Sequence, residues 1–429
     1  MKFNRCTLGL MAAGLVSLSS AARADESMSP VQTALSQTTL SGYVDTAMQW
    51  NPGTDYRPGS FDYPGNVPKY TFATDDGFQL NAVDIALDRS EDTSQWAAGY
   101  RVEMMYGADA VGVPFGVAQP TLNATPSATI RQAFIRLHTP IFGNGIDWQV
   151  GVFDSIIGYE SSSGPLNPNY TRSYGYSIEP TTLTGFLGTY KVNDNMSMSA
   201  GVADRAGALG NAHTLGPVTP SFTPSAAFES QKTYMGNLVL TAPDSFGFLK
   251  GATLSGGAVH GVNSNSGLNS GATTSIYAGA TLPTPISILK VGVSFDYLLE
   301  SGRLLLLPPP PPPASLFSVT GNDDIWVVGA YAAIQATDKL SFNLRGEYVS
   351  DDSNPADVEN LYAYLPNTQA NSAEEVTATV QYNLWANVLT RGEFRWDHVE
   401  HGEAFGANST GAQFRSNDFL LALNIAYQF

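Results

Sequence analysis

The chain has 429 residues, of which 14% are charged, 43% hydrophobic and 11% aromatic, with a mean hydropathy of −0.08. A soluble globular protein usually carries about 25% charged residues; after residue 24 no apolar stretch reaches the ~18 residues of a membrane helix, and so many aromatics are foreign to a disordered chain. The formal net charge of −17 argues against nucleic acid as a partner, since such binding is driven by basic patches.

Residues 1–24 read as a cleaved signal peptide: Lys2 and Arg5 are its basic end, Leu8–Leu18 its apolar core, and Ala22-Arg23-Ala24 its small-x-small cleavage site before Asp25. Cleavage removes three bases and no acid, so the mature chain is still more acidic. It also removes Cys6, the only cysteine, so the exported protein has neither disulfide nor thiolate site and needs a large cooperative structure instead of covalent staples. Residues 25–37 read as a short periplasmic lead-in, and residues 38–429 as one domain.

From there the pattern is alternation with period two, the mark of a strand with unlike faces. Strands are expected near 38–49, 77–88, 96–105, 130–139, 146–153, 181–191, 196–204, 233–242, 251–260, 273–282, 289–299, 325–336, 340–349, 374–382, 388–398 and 418–429. Leu340, Phe342 and Leu344 alternate with Ser341, Asn343 and Arg345; Gly392, Phe394 and Trp396 alternate with Arg391, Glu393, Arg395 and Asp397. A sandwich would bury its apolar face and wet its polar one from outside. Here the polar face carries full charges, which suits a wet lumen with the apolar face toward lipid. Short connections such as Asn193–Asn195 and Thr337–Lys339 alternate with long ones such as Asp154–Pro180 and Ser350–Ala373. About sixteen strands with this alternation describe an all-β, transmembrane, antiparallel up-and-down barrel with short periplasmic turns and long extracellular loops. The six-proline run Pro308–Pro313 cannot join a sheet interior and is expected at the tip of an extracellular loop. In the last segment Phe419, Leu421, Leu423, Ile425, Tyr427 and Phe429 occupy every second position. Leu423 is expected to meet hydrocarbon and Asn424 water. The terminal aromatics Tyr427 and Phe429 are expected to be read by the barrel assembly machinery.

Several stretches carry a family resemblance: Thr39-Leu40-Ser41-Gly42-Tyr43-Val44-Asp45-Thr46, Gln132-Ala133-Phe134-Ile135, Gly151-Val152-Phe153-Asp154, Gly158-Tyr159-Glu160 and Asn167-Pro168-Asn169-Tyr170-Thr171-Arg172-Ser173. Together they resemble the OmpL-like type of outer-membrane β-barrel porins, over Leu40–Phe429, with the motifs concentrated in residues 40–204. Val152 stands where such porins often carry a basic residue. The resemblance implies a bacterial outer-membrane pore for small hydrophilic solutes, with outer-membrane lipids and lipopolysaccharide as surroundings and a homotrimer as one assembly open to it. The competing class is a non-conducting barrel acting as adhesin, receptor or anchor through its long loops.

In a barrel of that kind the long connection after the fifth strand, Asp154–Pro180, can fold inward and narrow a channel that sixteen strands leave wide. Its acids are Asp154, Glu160 and Glu179. Lumenal Arg101, Arg136, Arg345, Arg391 and Arg395 would face them, with Arg345, Arg391 and Arg395 in a basic arc ~10 Å across. Such a transverse field would orient dipolar solutes and filter ions. Equally, these arginines would pair with Glu103, Glu347 and Glu393 simply to satisfy a polar interior.

His398-Val399-Glu400-His401 does not match a helical zinc signature, and neither a metal nor a cofactor is expected. The acid pairs Asp75-Asp76, Asp323-Asp324, Asp351-Asp352 and Glu374-Glu375 are expected in loops, solvated or bridging lipopolysaccharide through divalent cations. No Ser-His-Asp order, G-x-S-x-G or phosphate loop stands out. An outer-membrane hydrolase would need a wall histidine, for which His138 is the candidate; no enzymatic activity is expected.

Overall fold

The computed structural model describes residues 38–52, 76–91, 95–110, 127–206, 215–216, 225–227, 232–262, 272–306, 318–351, 372–400 and 415–429. The signal peptide, the lead-in and Pro308–Pro313 lie outside these residues. Sixteen strands close into a barrel: β1 (Thr39–Trp50), β2 (Gly77–Arg89), β3 (Ala97–Gly107), β4 (Ser127–Thr139), β5 (Ile146–Asp154), β6 (Thr182–Asn193), β7 (Met196–Ala203), β8 (Thr233–Thr241), β9 (Thr253–Val262), β10 (Ala272–Pro283), β11 (Leu289–Leu306), β12 (Ser318–Gln335), β13 (Leu340–Asp351), β14 (Ser372–Trp385), β15 (Val388–Val399) and β16 (Asn417–Gln428). Each pairs antiparallel with its sequence neighbours, and β16 returns to β1 with Val44 opposite Tyr427 and Thr46 opposite Ile425. Gly42 and Phe429 exchange both backbone hydrogen bonds at 3.0 Å, so the last residue of the chain takes part in the closure. Closure removes the unpaired edge that would be intolerable in hydrocarbon.

The expected strands are found, with one marked difference in length and one addition, a separate two-stranded sheet of Leu215–Gly216 and Ser225–Ala227 within a connection expected to be loop. β11 and β12 run on together to the pair Leu306–Ser318, past a bulge at Ser301 and Arg303. The polar run Gly321–Asp324 breaks the apolar alternation there, which conceals the extension in the sequence. Three acid pairs expected in loops reach into strands: Asp323 and Asp324 belong to β12, Asp351 ends β13, and Glu374 and Glu375, at the very start of the strand expected from 374, are in β14.

The two faces of the wall are sharply different. In β16, Leu421, Leu423, Ile425 and Tyr427 are exposed on the outside, while Leu420, Ala422, Asn424 and Ala426 are buried on the inside. Exposed aromatics gather toward both ends of the wall: Phe142, Trp385, Tyr427 and Phe429 at the turn end, Trp50, Phe78, Tyr234 and Phe419 at the loop end. An apolar outer band with aromatic margins matches a bilayer of limited thickness. No helix among the described residues is long and apolar enough to cross a membrane. The expectation that Asn424 meets water is corrected: it donates to Asp45 at 2.6 Å and accepts from Arg391 at 2.8 Å, inside a packed network. The inside of β16 is dry because Tyr170 packs there against Ala47, Leu420 and Ala422.

Two bulges re-aim side chains. Between β1 and β2 the pairing shifts at Asp45/Thr46, so that Asn81 and Ala82 are both buried. Between β3 and β4 it shifts at Glu103/Met104, so that Arg131 and Gln132 are both buried. An extra residue in one strand breaks strict alternation, and both bulges deliver a polar side chain into the lumen.

Candidate pore constriction

Residues 155–181, between β5 and β6, turn into the barrel. Apolar side chains take them there. Ile157, with the half-buried Ile156 and Tyr159, packs against Phe134, Phe153, Leu183, Leu187, Met235, Val259 and Tyr277. Tyr174 and Ile178 pack against Leu298, Ile325, Val327 and Val349 on the opposite side. Local signals shape the path between. Pro165 opens a 3-10 turn over Gly164–Leu166. Ser173 caps the short helix α1 (Tyr174–Ile178) by accepting from the Tyr176 amide at 2.9 Å. Gly158 has φ +127°, and a Cβ there would collide with the Glu179 carboxylate, so only glycine lets the two limbs of the segment meet.

Much of the backbone from Gly164 to Gly175 is buried without a strand partner. Each buried, unpaired backbone group would cost about 1–3 kcal/mol, and charged wall residues supply the missing partners. Arg391 donates to the carbonyls of Gly164, Asn167 and Asn169 at 3.2, 3.1 and 2.9 Å. Arg345 donates to the carbonyls of Thr171 and Arg172 at 2.8 and 3.1 Å, and Arg395 to that of Arg172 at 2.7 Å. Wall acids take the amides: Glu393 those of Tyr170 and Thr171 at 2.5 and 2.9 Å, Glu347 those of Tyr174 and Gly175 at 2.8 and 3.2 Å. Glu347 therefore lies at the N-terminus of α1, where free amides favour an anion.

The guanidiniums are in turn neutralised from the wall and the segment. Arg345 meets Glu160 at 2.8 Å, Glu375 at 3.2 Å and Glu347 at 3.6 Å; Arg395 meets Asp397 at 2.9 Å; Arg391 meets Asp45 at 3.6 Å. The three arginines do form a cluster on β13 and β15, but their heads point into the segment and not into open water. Glu160, expected across the channel, is bonded to Arg345 directly. Of the pairings expected to satisfy the interior, Arg101 with Glu103 at 2.9 Å and Arg345 with Glu347 are present, whereas Glu393 holds backbone.

A second cluster lies against β1–β5. Arg131 joins Glu103 and, at 2.7 and 3.0 Å, Asp154. Arg101 and Arg136 share Asp88 at 3.3 and 2.8 Å. Arg172, on the segment, donates to the Ser161 and Ser162 carbonyls at 2.6 Å each and to Asp109 at 3.3 Å. Burial pushes the Asp109 carboxyl up to about 6 against the opposing pull of Arg172. Where the segment rejoins the wall, enclosure and then the charge of Asp296 raise the Glu179 carboxyl well above the usual range.

Sequence reading missed Arg131, Asn81, Glu375 and Asp45 as members of these networks. Arg131 and Asn81 are invisible to a period-two reading because bulges place them; Glu375 hides in an acid pair that reads as loop. Asp45 alternates correctly in β1, and its inward face was the available signal. His138, the candidate wall histidine, bonds Asp147 through Nδ1 at 2.6 Å, and its Nε2 edge lies over Gly145, where a Cβ would stand 2.5 Å away. His398 bonds Asn417 at 3.0 Å and stacks on Trp396. His401 lies outside the described residues, and no group of three or more potential ligands among the described residues could hold a metal ion.

The architecture is a closed sixteen-strand barrel with one segment folded inward. The model of the family described as "Putative beta-barrel porin-2, OmpL-like" matches residues 37–429. The chain belongs to this porin family. Among solved structures, the outer membrane channel DcaP of Acinetobacter baumannii is similar in fold with a TM-score of 0.56 and 11% identity, covering 91% of this chain and 97% of that one. An anion-selective porin from Comamonas acidovorans gives 0.54 and 12%, covering 91% and 99%. The outer membrane protein OmpT of Vibrio cholerae, in a trimer form, gives 0.51 and 11%, covering 91% and 99%. No protein of curated function matches the sequence. The protein is thus a porin of the bacterial outer membrane, as its sequence resemblance implied.

Proposed function

We propose that the barrel passes small hydrophilic solutes and ions down their gradients, and that residues 155–181 form a fixed constriction in its lumen. One observation carries this reading: Arg345, Arg391, Arg395, Glu347 and Glu393 of the wall each hydrogen-bond the backbone of that segment and hold it across the lumen. A segment fastened this way sets a bore without needing to move. Arg101, Glu103, Arg136, Asp154 and Glu179 then belong to the polar lining or to its direct support. A channel is supported over a hydrolase by the surroundings of His138, whose Nε2 edge, the one a nucleophile would have to reach, packs against Gly145. Assembly as a homotrimer in lipid and lipopolysaccharide belongs to the same reading, supported by the trimer form of the Vibrio cholerae protein and the exposed apolar belt.

Purified protein in a planar bilayer tests the reading. Stepwise ohmic conductance is expected, together with liposome uptake of neutral sugars that falls steeply with sugar size. Folded, heat-modifiable protein that gives neither would favour the non-conducting anchor.

A further inference from the structure

The lumen holds charges of both signs, and what a permeating ion meets is decided by which of them reach water. The lumenal arginines are covered. The side chains of Arg345, Arg391 and Arg395 are 0% exposed, Arg131 and Arg172 3%, Arg136 11% and Arg101 15%. Asp154 is 38% exposed, although it is the partner of Arg131. It stands at the last position of β5, where the inward segment departs, and is held there by Arg131 and by the Ser162 hydroxyl at 3.1 Å.

The covering also leaves the acids in excess. Arg345 and Arg395 are shared among Glu160, Glu347, Glu375 and Asp397. Around Arg101, Arg131 and Arg136, by contrast, the pairs with Glu103, Asp154 and Asp88 balance, so the excess comes from the Arg345 and Arg395 cluster. The exposed lysines of the inner wall stand elsewhere: Lys191 near the end of β6, paired with Asp194 at 2.9 Å, and Lys290 at the second position of β11, both at the turn end. The chain as a whole, at −17, draws cations to the mouth rather than anions.

We propose that the pore selects cations over anions, with Asp154 as the residue that sets the sign at the narrow part of the path. The inference rests on the channel reading above. It is chemically specific: Arg345, Arg391 and Arg395 are buried against backbone carbonyls and acids, and Arg131 against Glu103 and Asp154, so the charged group among them that reaches water is the Asp154 carboxylate. A unit charge a few ångströms from the path in wet surroundings changes ion partition by roughly two- to fivefold.

The test is the reversal potential of purified protein in a potassium chloride gradient across a planar bilayer. Wild type is expected to pass potassium over chloride, and the ratio is expected to fall as ionic strength rises toward 1 M, where screening shortens to ~3 Å. Asp154→Asn, which keeps the shape and the acceptor toward Arg131, is expected to lower the ratio about two- to fivefold, and Asp154→Glu to retain it. A wild-type ratio at or below unity overturns the proposal, and so does one that is independent of salt. A conducting Asp154→Asn variant with an unchanged ratio removes Asp154 from the role. Those wild-type measurements decide the sign even if a variant fails to fold. Absence of any conductance by wild type would instead overturn the channel reading underneath.

Discussion

At the scale of single residues, charge in this lumen acts first as hydrogen-bonding capacity. Arg395 illustrates it: its guanidinium is wholly buried, holds Asp397 at 2.9 Å, donates to the Arg172 carbonyl at 2.7 Å and lies 5.2 Å from the Tyr174 ring centre. Truncating one partner of a buried pair typically costs about 3–5 kcal/mol, because the other charge is left uncompensated. Arg395→Met is therefore expected to destabilise the refolded barrel by that order and to make the single-channel current noisy as the segment loosens. Arg136→Met, which removes a more exposed pairing with Asp88, should cost about 1–3 kcal/mol at most. Urea titration of both variants in detergent checks this; equal losses would show that the segment is not held through Arg395. The alternation Arg391, Glu393, Arg395, Asp397 made these groups legible as inward-facing. That they end in backbone carbonyls and amides was not legible, because nothing in local sequence says which loop will lie against which wall. Asn424 shows the limit plainly: its side of β16 was right, its surroundings wrong, since the dryness there comes from Tyr170, far away in sequence.

At the scale of elements, a strand's type follows from its own residues, whereas its ends depend on neighbours. β16 was readable almost to the residue because each second position is large and apolar. β11 and β12 were not, since the bulge at Ser301 and Arg303 and the polar run Gly321–Asp324 interrupt the alternation where the two strands run on. β4 carried its register but not its bulge, and so Arg131 was lost. The register of β16 has a direct consequence. Leu423→Arg places a cation in the hydrocarbon band and is expected to cost about 2–4 kcal/mol. Ser199→Arg, on the half-buried inner face of β7 beside Thr189 at 2.9 Å, should cost well under half of that. Equal costs in lipid refolding titrations would mean that the faces are misassigned. Deleting Phe429 removes both hydrogen bonds to Gly42 and a terminal aromatic expected to guide assembly. The folded, heat-modifiable yield in cells should fall far more than after deletion of Ser287 from the exposed turn between β10 and β11; an unchanged yield would count against closure through the last residue.

At the scale of the whole molecule, the barrel and the inward segment depend on each other. The wall closes without edges, but sixteen strands enclose more space than their own side chains fill. The segment occupies part of that space with Tyr170, Tyr174, Ile157 and Ile178, and the wall gives its backbone partners. Where the segment lies is therefore the central claim, and the absence of cysteine from residues 25–429 allows a clean test of it. Leu166 is 54% exposed on the inward segment, in the turn whose Gly164 carbonyl accepts from Arg391. The decisive measurement is the single-channel current of the Leu166→Cys variant before and after a bulky, water-soluble thiol reagent, with lipid-facing Leu423→Cys as control. The current through Leu166→Cys is expected to drop in steps on modification, while that through Leu423→Cys stays level. A fully modified Leu166→Cys channel with unaltered current would contradict the placement of this segment in the conducting path.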